Sequence, residues 1–281
     1  MQINKIIFMG TPGFALPTLE KLYLEFGSQI KAVFTKPDAI QGRGHKLLST
    51  PIKKYALSKN IPVFEPQNKK EITRIIQKIN PDLVIIIAYG MILEKDITDH
   101  YFCLNVHASL LPKYRGPSPI NSVFLNQETE TGITLMQINE KMDEGDILLQ
   151  QKISINPLDN AGTIHDKLAL LGAKLTSDYI KNNILKDNLN LQKQNHQQAT
   201  YCQKVKAQDL ELNLKMSPVK FLARVKAFAP YPGAYILHQE KRIKILDAKI
   251  TDHKIEILQV KPAGKGLMSH ENYCKGNSPL I

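Results

Sequence analysis

Asn105 and His107, separated only by Val106, put an amide donor and a titratable ring two residues apart. On an extended strand side chains alternate faces, so these two project to the same side. The pairing suits acyl transfer, where a developing oxyanion needs a hydrogen-bond donor and proton traffic needs an acid or base. An isolated N-x-H tripeptide is more often a strand end with a satisfied, buried histidine, so the neighbouring residues must decide. The string continues as Ala108-Ser109-Leu110-Leu111-Pro112-Lys113-Tyr114-Arg115-Gly116. An acidic cluster, Lys141-Met142-Asp143-Glu144-Gly145-Asp146, lies between two extended runs and by itself reads as a solvated turn. No metal is expected: no second histidine is near, and neither H-E-x-x-H nor EF-hand spacing is present.

The elements that would position these side chains show as an alternation of strand and helix patterns. Residues 3–9 are a β-branched run ending in Gly10-Thr11-Pro12-Gly13, and apolar periodicity follows over 14–26. That reads as strand, turn, helix. The turn sits where a dinucleotide fingerprint would, but it lacks G-x-G-x-x-G and Pro12 removes a backbone donor, so NAD or FAD is not expected. Further strands are expected over 30–35, 82–88 and 103–107, with helices over 51–58, 69–79 and 120–125. Residues 82–88 are apolar almost without a break, as in a parallel strand covered on both faces. The alternation predicts an α/β fold, a Rossmann-like, doubly wound, mostly parallel sheet. Such sheets bind ligands beyond the carboxyl ends of their strands, where Asn105 and His107 fall.

Extended segments over 132–138 and 146–155 follow. Residues 161–184 predict an amphipathic helix, with Ile164, Leu168, Leu171, Leu175 and Tyr179 on one stripe. The polar stretch 186–199 reads as a linker, making 1–185 the catalytic domain and 200–281 a second domain. In the second domain a helix over 217–228 and short strands over 234–237, 241–249 and 254–260 predict a small β-barrel or curled sheet.

A 43% apolar, 22% charged composition excludes disorder on compositional grounds. The longest apolar runs, such as 83–88, are too short to cross a bilayer, and the N-terminus reads as a first strand rather than a signal peptide. Cys103, Cys202 and Cys274 are too few and too widely spaced for a disulfide framework or zinc knuckle, which suggests a reducing, cytoplasmic setting. Of the net charge of +11, residues 196–281 hold 14 Lys/Arg against 7 Asp/Glu, a net +7 that leaves +4 for the rest. That asymmetry suggests a polyanionic partner, RNA first, with a generally basic proteome as the alternative.

With these motifs in place, the chain resembles the methionyl-tRNA formyltransferase family over nearly its whole length. The shared strings are I-I-F-M-G-T-P-x-F-A at 6–15, T-K-P-D-x-x-x-G-R-G at 35–44 and P-D-L-V-I-I-I-A-Y-G at 81–90. They continue as N-V-H-x-S-L-L-P-K-Y-R-G at 105–116, E-T-G-I-T-L-M-Q at 130–137 and M-D-x-G-D at 142–146. The Asn105-to-Gly116 string marks folate-dependent formyltransferases generally. G-R-G at 42–44, A-T-Y-C-Q-K-V at 199–205 and A-F-x-P-Y-P-G-A-Y at 227–235 point to the tRNA branch.

The resemblance implies a formyl-transfer domain followed by an OB-like C-terminal barrel. It implies 10-formyltetrahydrofolate as formyl donor and initiator methionyl-tRNA as acceptor, in an enzyme expected to be monomeric and independent of membranes. Asn105 would hydrogen-bond the formyl oxygen, His107 would lie near the same oxygen, and Asp143 would pair with an imidazolium and help remove the amine proton. The backbone of Ser109, Leu110, Leu111 and Pro112 would hold the folate, with Ile92 and Leu93 walling its pterin pocket. Residues 36–50 form a long strand-to-helix connection whose Arg43 and Lys46 would contact tRNA.

Two departures stand out. Gly13 occupies the usual glutamate position of G-T-P-E-F, and the strand motifs near 246–249 and 255–265 follow so closely that a five-stranded barrel is expected to be abbreviated. A sugar-nucleotide N-formyltransferase, or a non-catalytic basic RNA-binding protein on the same scaffold, are the competing expectations.

Overall fold

The computed structural model describes residues 2–41 and 46–280. In chain order its first elements are β1 (Ile6–Gly10), α1 (Leu16–Phe26), β2 (Ile30–Phe34), β3 (Ala39–Gln41), β4 (Lys46–Leu48), α2 (Pro51–Ser58) and β5 (Val63–Phe64). Then come α3 (Lys69–Ile79), β6 (Leu83–Ile87), α4 (Lys95–His100), β7 (Cys103–His107), α5 (Pro119–Leu125), β8 (Glu130–Gln137), β9 (Ile147–Ser154) and α6 (Ala161–Tyr179). The last are α7 (Pro218–Phe228), β10 (Ala234–His238), β11 (Lys241–Thr251), β12 (Lys254–Pro262), β13 (Met268–Ser269) and α8 (His270–Cys274).

These residues group into two compact units. The first comprises Met1–Arg115, Gly132–Lys152 and Asp166–Thr200; the second comprises Gly116–Thr131, Ile153–His165 and Tyr201–Ile281. The main sheet runs β5-β2-β1-β6-β7-β8-β9. From β5 to β7 all pairings are parallel, and β8 then pairs antiparallel with β7. Every residue of β1 and β6 is buried, which is why both read as unbroken runs without a charged or polar side chain. A side chain at Gly10 would place its Cβ 2.8 Å from that of Ala15, so the exit from β1 is reserved for glycine. Side-chain caps fix two helix starts: Thr50 accepts from the Lys53 N–H and Asn68 from the Glu71 N–H.

The strands over 103–107 and the helices over 51–58 and 69–79 lie where the sequence places them. The helix expected over 161–184 stops at Tyr179 and continues as a π turn, Ile180–Ile184. The two-residue strands β5 and β13 and the helices α4 and α8, of six and five residues, are too short to show the period of their own element.

In the second unit β10-β11-β12-β13 form an antiparallel meander. Those are four strands, against the five of a complete OB-like barrel, which is the abbreviation the sequence spacing predicts. The register shifts on both sides of Asp247, so β11 bends as it passes β12. On the outer edge of β10 the Leu212 N–H donates to the Tyr235 carbonyl at 2.8 Å, covering part of that edge. Helix α7 packs on β11 and buries Phe221, Val225 and Phe228. Among the described residues no helix is long and apolar enough to cross a membrane.

Candidate active site

Asn105 and His107 share one face of β7, opposite Met136 and Thr134 of β8. The Asp143 carboxylate comes to that face. Its Oδ1 lies 3.4 Å from Asn105 Nδ2 and 3.6 Å from His107 Nδ1. Both distances are long for hydrogen bonds. His107 is buried and its Nε2 lies 2.9 Å from the Tyr114 carbonyl oxygen. A carbonyl can only accept, so Nε2 carries a hydrogen and donates it. That fixes the tautomer of the neutral ring, and Nδ1 is left as the nitrogen that takes a proton beside Asp143.

The carbonyl of Tyr114 is aimed by its surroundings. Tyr114 adopts φ +61°, and its N–H donates to Thr200 Oγ1 at 2.9 Å. The Arg115 N–H donates to the Thr200 carbonyl, and the Thr200 N–H to that of Pro112. Thr134 is a second anchor. Its hydroxyl donates to the Ser109 carbonyl at 2.6 Å and accepts from the Leu111 N–H at 3.1 Å. Gln150 Nε2 reaches both that hydroxyl and the Leu111 carbonyl. Ser109 Oγ donates to the Lys113 carbonyl. The turn after His107 is thereby tied at most of its backbone polar groups.

The Asp143 loop is held equally closely. Asp143 adopts φ +54°. A Cβ at Gly145 would lie 1.7 Å from the Gln137 carbonyl oxygen, so M-D-x-G-D needs its glycine to cross the end of β8. Gln137 N–H donates to the Asp146 carbonyl beside it. Gln194, buried, donates from Nε2 to the carbonyls of Asp143 and Gly145, each at 2.8 Å. Arg115 is fully buried, and its guanidinium donates to Gln194 Oε1 and pairs with Glu144 at 3.2 Å.

The structure thus brings Asn105, His107 and Asp143 together. Ser109 and Leu111 are buried and Leu110 and Pro112 partly so. Leu93 sits in the core cluster with Tyr89 and Ile97, while Ile92 is about half exposed at 49%. Arg43 lies outside the described residues, and of Lys46 only the backbone, the first residue of β4, is described. At Gly13 a Cβ would meet nothing within 4 Å, so the turn has room for the side chain usual there. Burial pushes the Cys103 thiol, at the start of β7, up to about 12, so it is no nucleophile. A cleft of about 610 Å³ borders Glu144, Gly145 and Gln194 with Asp99, Asn139 and Lys141. It does not include the Asn105, His107 and Asp143 side chains.

Sequence reasoning missed Gln194, Thr134 and Thr200 as parts of the site. Thr200 lies in A-T-Y-C-Q-K-V, a string whose only signal was family likeness. Gln194 carried no signal, because a buried glutamine in a polar stretch has no distinguishing pattern.

An amide donor, an imidazole and a carboxylate converging at the carboxyl end of a parallel strand form the donor set of an acyl-transferring enzyme. The formyl transferase family model matches residues 4–180, and the formyl transferase C-terminal domain model matches residues 204–256. The chain belongs to the formyl transferase family. A methionyl-tRNA formyltransferase of Caldanaerobacter subterraneus is 39% identical over 254 residues, covering 89% of this chain and 82% of its own. That of Clostridium tetani is 41% identical over 257 residues, covering 89% and 81%. Among solved structures, a methionyl-tRNA formyltransferase from Clostridium thermocellum aligns with a TM-score of 0.62 at 19% identity, covering 92% of this chain and 99% of that one. An N-formyltransferase from Helicobacter canadensis, in complex with folinic acid and dTDP-3-aminofucose, aligns at 0.67 with 22% identity over 95% of each chain. At those identities the two structures speak for the fold alone.

Proposed function

We propose that this chain transfers the formyl group of 10-formyltetrahydrofolate to the free amine of initiator methionyl-tRNA. The observation that carries the chemistry is the meeting of Asn105 Nδ2 and His107 Nδ1 at one oxygen of Asp143. The acceptor is supported by the similarity to methionyl-tRNA formyltransferases across most of both chains and by the basic residues after 196.

In the reaction the amine nitrogen bonds to the formyl carbon, whose oxygen takes on negative charge. The Asn105 amide donates to that oxygen. The amine gives up a proton to the Asp143 and His107 pair, and the folate N10 leaves as it receives one, so the net proton transfer is from amine to N10. His107 can carry that proton only on Nδ1, because Nε2 is committed to the Tyr114 carbonyl. Asp143 stabilises the charged ring while the proton is held. In this reading Ser109, Leu110, Leu111 and Pro112 offer the folate a stiff wall, since much of their backbone is bonded to Thr134, Gln150 and Thr200. Ile92 and Leu93 supply apolar contact. Arg43 and Lys46 meet the tRNA backbone, and Lys and Arg residues of the second unit add to that charge.

The test is a single assay. Purified protein with 10-formyltetrahydrofolate is offered charged initiator tRNA and, separately, a dTDP-aminosugar. Formylation of the tRNA alone is the expected result. Formylation of the sugar nucleotide alone would reassign the acceptor, and binding of tRNA without turnover of either would make the chain a non-catalytic RNA binder.

A further inference from the structure

We infer that Gln194 is a positioning residue for Asp143, resting on the formyl-transfer reading above. Its side-chain amide is spent on a single purpose. Both N–H bonds go to carbonyls that bracket Glu144, those of Asp143 and Gly145, and its oxygen takes two donors from Arg115. The backbone delivers Gln194 to that spot: Gln192 and Ile147 exchange both N–H to carbonyl bonds, at 2.9 and 2.7 Å, so the segment runs antiparallel beside the start of β9. Six residues on, Thr200 holds Tyr114, whose carbonyl sets the tautomer of His107.

One short segment, 192–200, therefore sets both partners of the proton pair. Asp143 sits in the left-handed region, which a non-glycine residue holds only when its surroundings enforce it. Two charge-polarised amide bonds on the adjoining carbonyls are that enforcement. Arg115 stiffens them in turn, because its buried guanidinium is satisfied by Glu144 and by Gln194. Releasing the loop lets the carboxylate drift from Nδ1, and displacements near 1 Å at reacting groups cost on the order of 100-fold.

Two variants separate positioning from simple packing. Gln194→Met keeps the length and removes every polar tie. Gln194→Glu keeps size and the acceptor for Arg115, but turns oxygen rather than N–H toward the two carbonyls. Both are expected to lower kcat about 10- to 100-fold with KM for formyl-folate and tRNA within about twofold. In an Asp143→Asn background Gln194→Met should add no further loss, because the residue acts through that carboxylate. Hydrogen exchange of residues 142–146, measured on the free protein without substrate, should rise in both variants while β1 and β6 stay protected. Unchanged exchange in that loop overturns the inference whatever the activity proves to be, and additive losses in the double variant overturn it too. Failure of wild-type turnover, with exchange raised as expected, would instead strike at the formyl-transfer reading.

Discussion

The Asp143 loop and the β3–β4 hairpin are both connections leaving the main sheet, and they are held in opposite ways. Around Asp143 the ties are buried and act on the backbone on both sides of the functional group: Gln194 on two carbonyls, Gly145 pressed against β8, Arg115 beneath. Among the described residues the hairpin's side-chain ties lie at its base. Lys53 bridges Asp38 at 2.9 Å and Glu65 at 3.0 Å, Ser49 donates to Asp38, and the hydroxyls of Thr35 and Thr50 meet at 2.8 Å. Above that base the cross-strand pair Ile40 and Leu47 is exposed. The difference matches the two tasks in the proposed reaction. Chemistry needs groups fixed to a fraction of an ångström, whereas gripping a phosphate backbone needs charge and reach.

The largest effect expected from breaking the rigid side comes at the reacting face itself. In the proposed reaction Asn105→Ala removes the donor to the developing oxyanion and His107→Ala removes the proton carrier. Each is expected to lower kcat by on the order of 10²–10³, with circular dichroism and Tm close to wild type. Steady-state formylation of charged initiator tRNA measures this. Near-normal turnover by either folded variant would remove β7 from the chemistry and leave the comparison without its rigid member.

Much of that rigid member was legible in advance. Period-two alternation placed Asn105 and His107 on one face, whereas 141–146 by itself read as a solvated turn, and only the folded chain shows its Gly145 against the Gln137 carbonyl. What periodicity could not show is which remote side chains hold the loop. Gln194 lies 51 residues beyond Asp143 in sequence, in a stretch whose composition suggests only solvation. Burial of a single polar residue leaves no pattern, because its partners are backbone carbonyls that every sequence possesses. The hairpin shows the converse. Its length marked an insertion, but two three-residue strands were too short to register as β.

Lys53→Met is the way to break the hairpin side. It cuts both ion pairs at the base while leaving α2, which Thr50 caps, in place. The hydrogen bond from Lys53 holds the Asp38 carboxyl below its ordinary value, and the same bond raises Lys53. A depressed carboxyl keeps its contribution above the usual Asp range and loses it as pH falls below, so the base stays tied at neutral pH. These groups are part-buried at the surface, where such pairs contribute modestly each. The expected result is a KM for tRNA raised about 2- to 10-fold, with kcat and KM for formyl-folate unchanged. A fall in kcat would mean the hairpin, too, positions reacting atoms.

The smallest effect belongs to a tie that serves neither loop, and it is the control for both. Glu25 at the end of α1 is partly desolvated, which pushes its carboxyl up. Hydrogen bonds from Ser177, Lys181 and Lys21 outweigh that and hold it at about 2. The carboxylate joins α1 to α6 and the turn that follows it, remote in sequence from β7, the Asp143 loop and the hairpin. Because the folded pKa lies below the ordinary 4.5, this contribution is complete above that value and disappears as pH falls toward 2. Glu25→Gln should therefore lower Tm by roughly 2–4 °C at pH 7, about 1 kcal/mol, with the gap to wild type closing in acid. Turnover and both KM values should stay at wild-type levels. If this purely structural loss lowered kcat as Gln194→Met is expected to, general loosening of the first unit would account for both, and the Asp143 loop would lose its claim to be specially held.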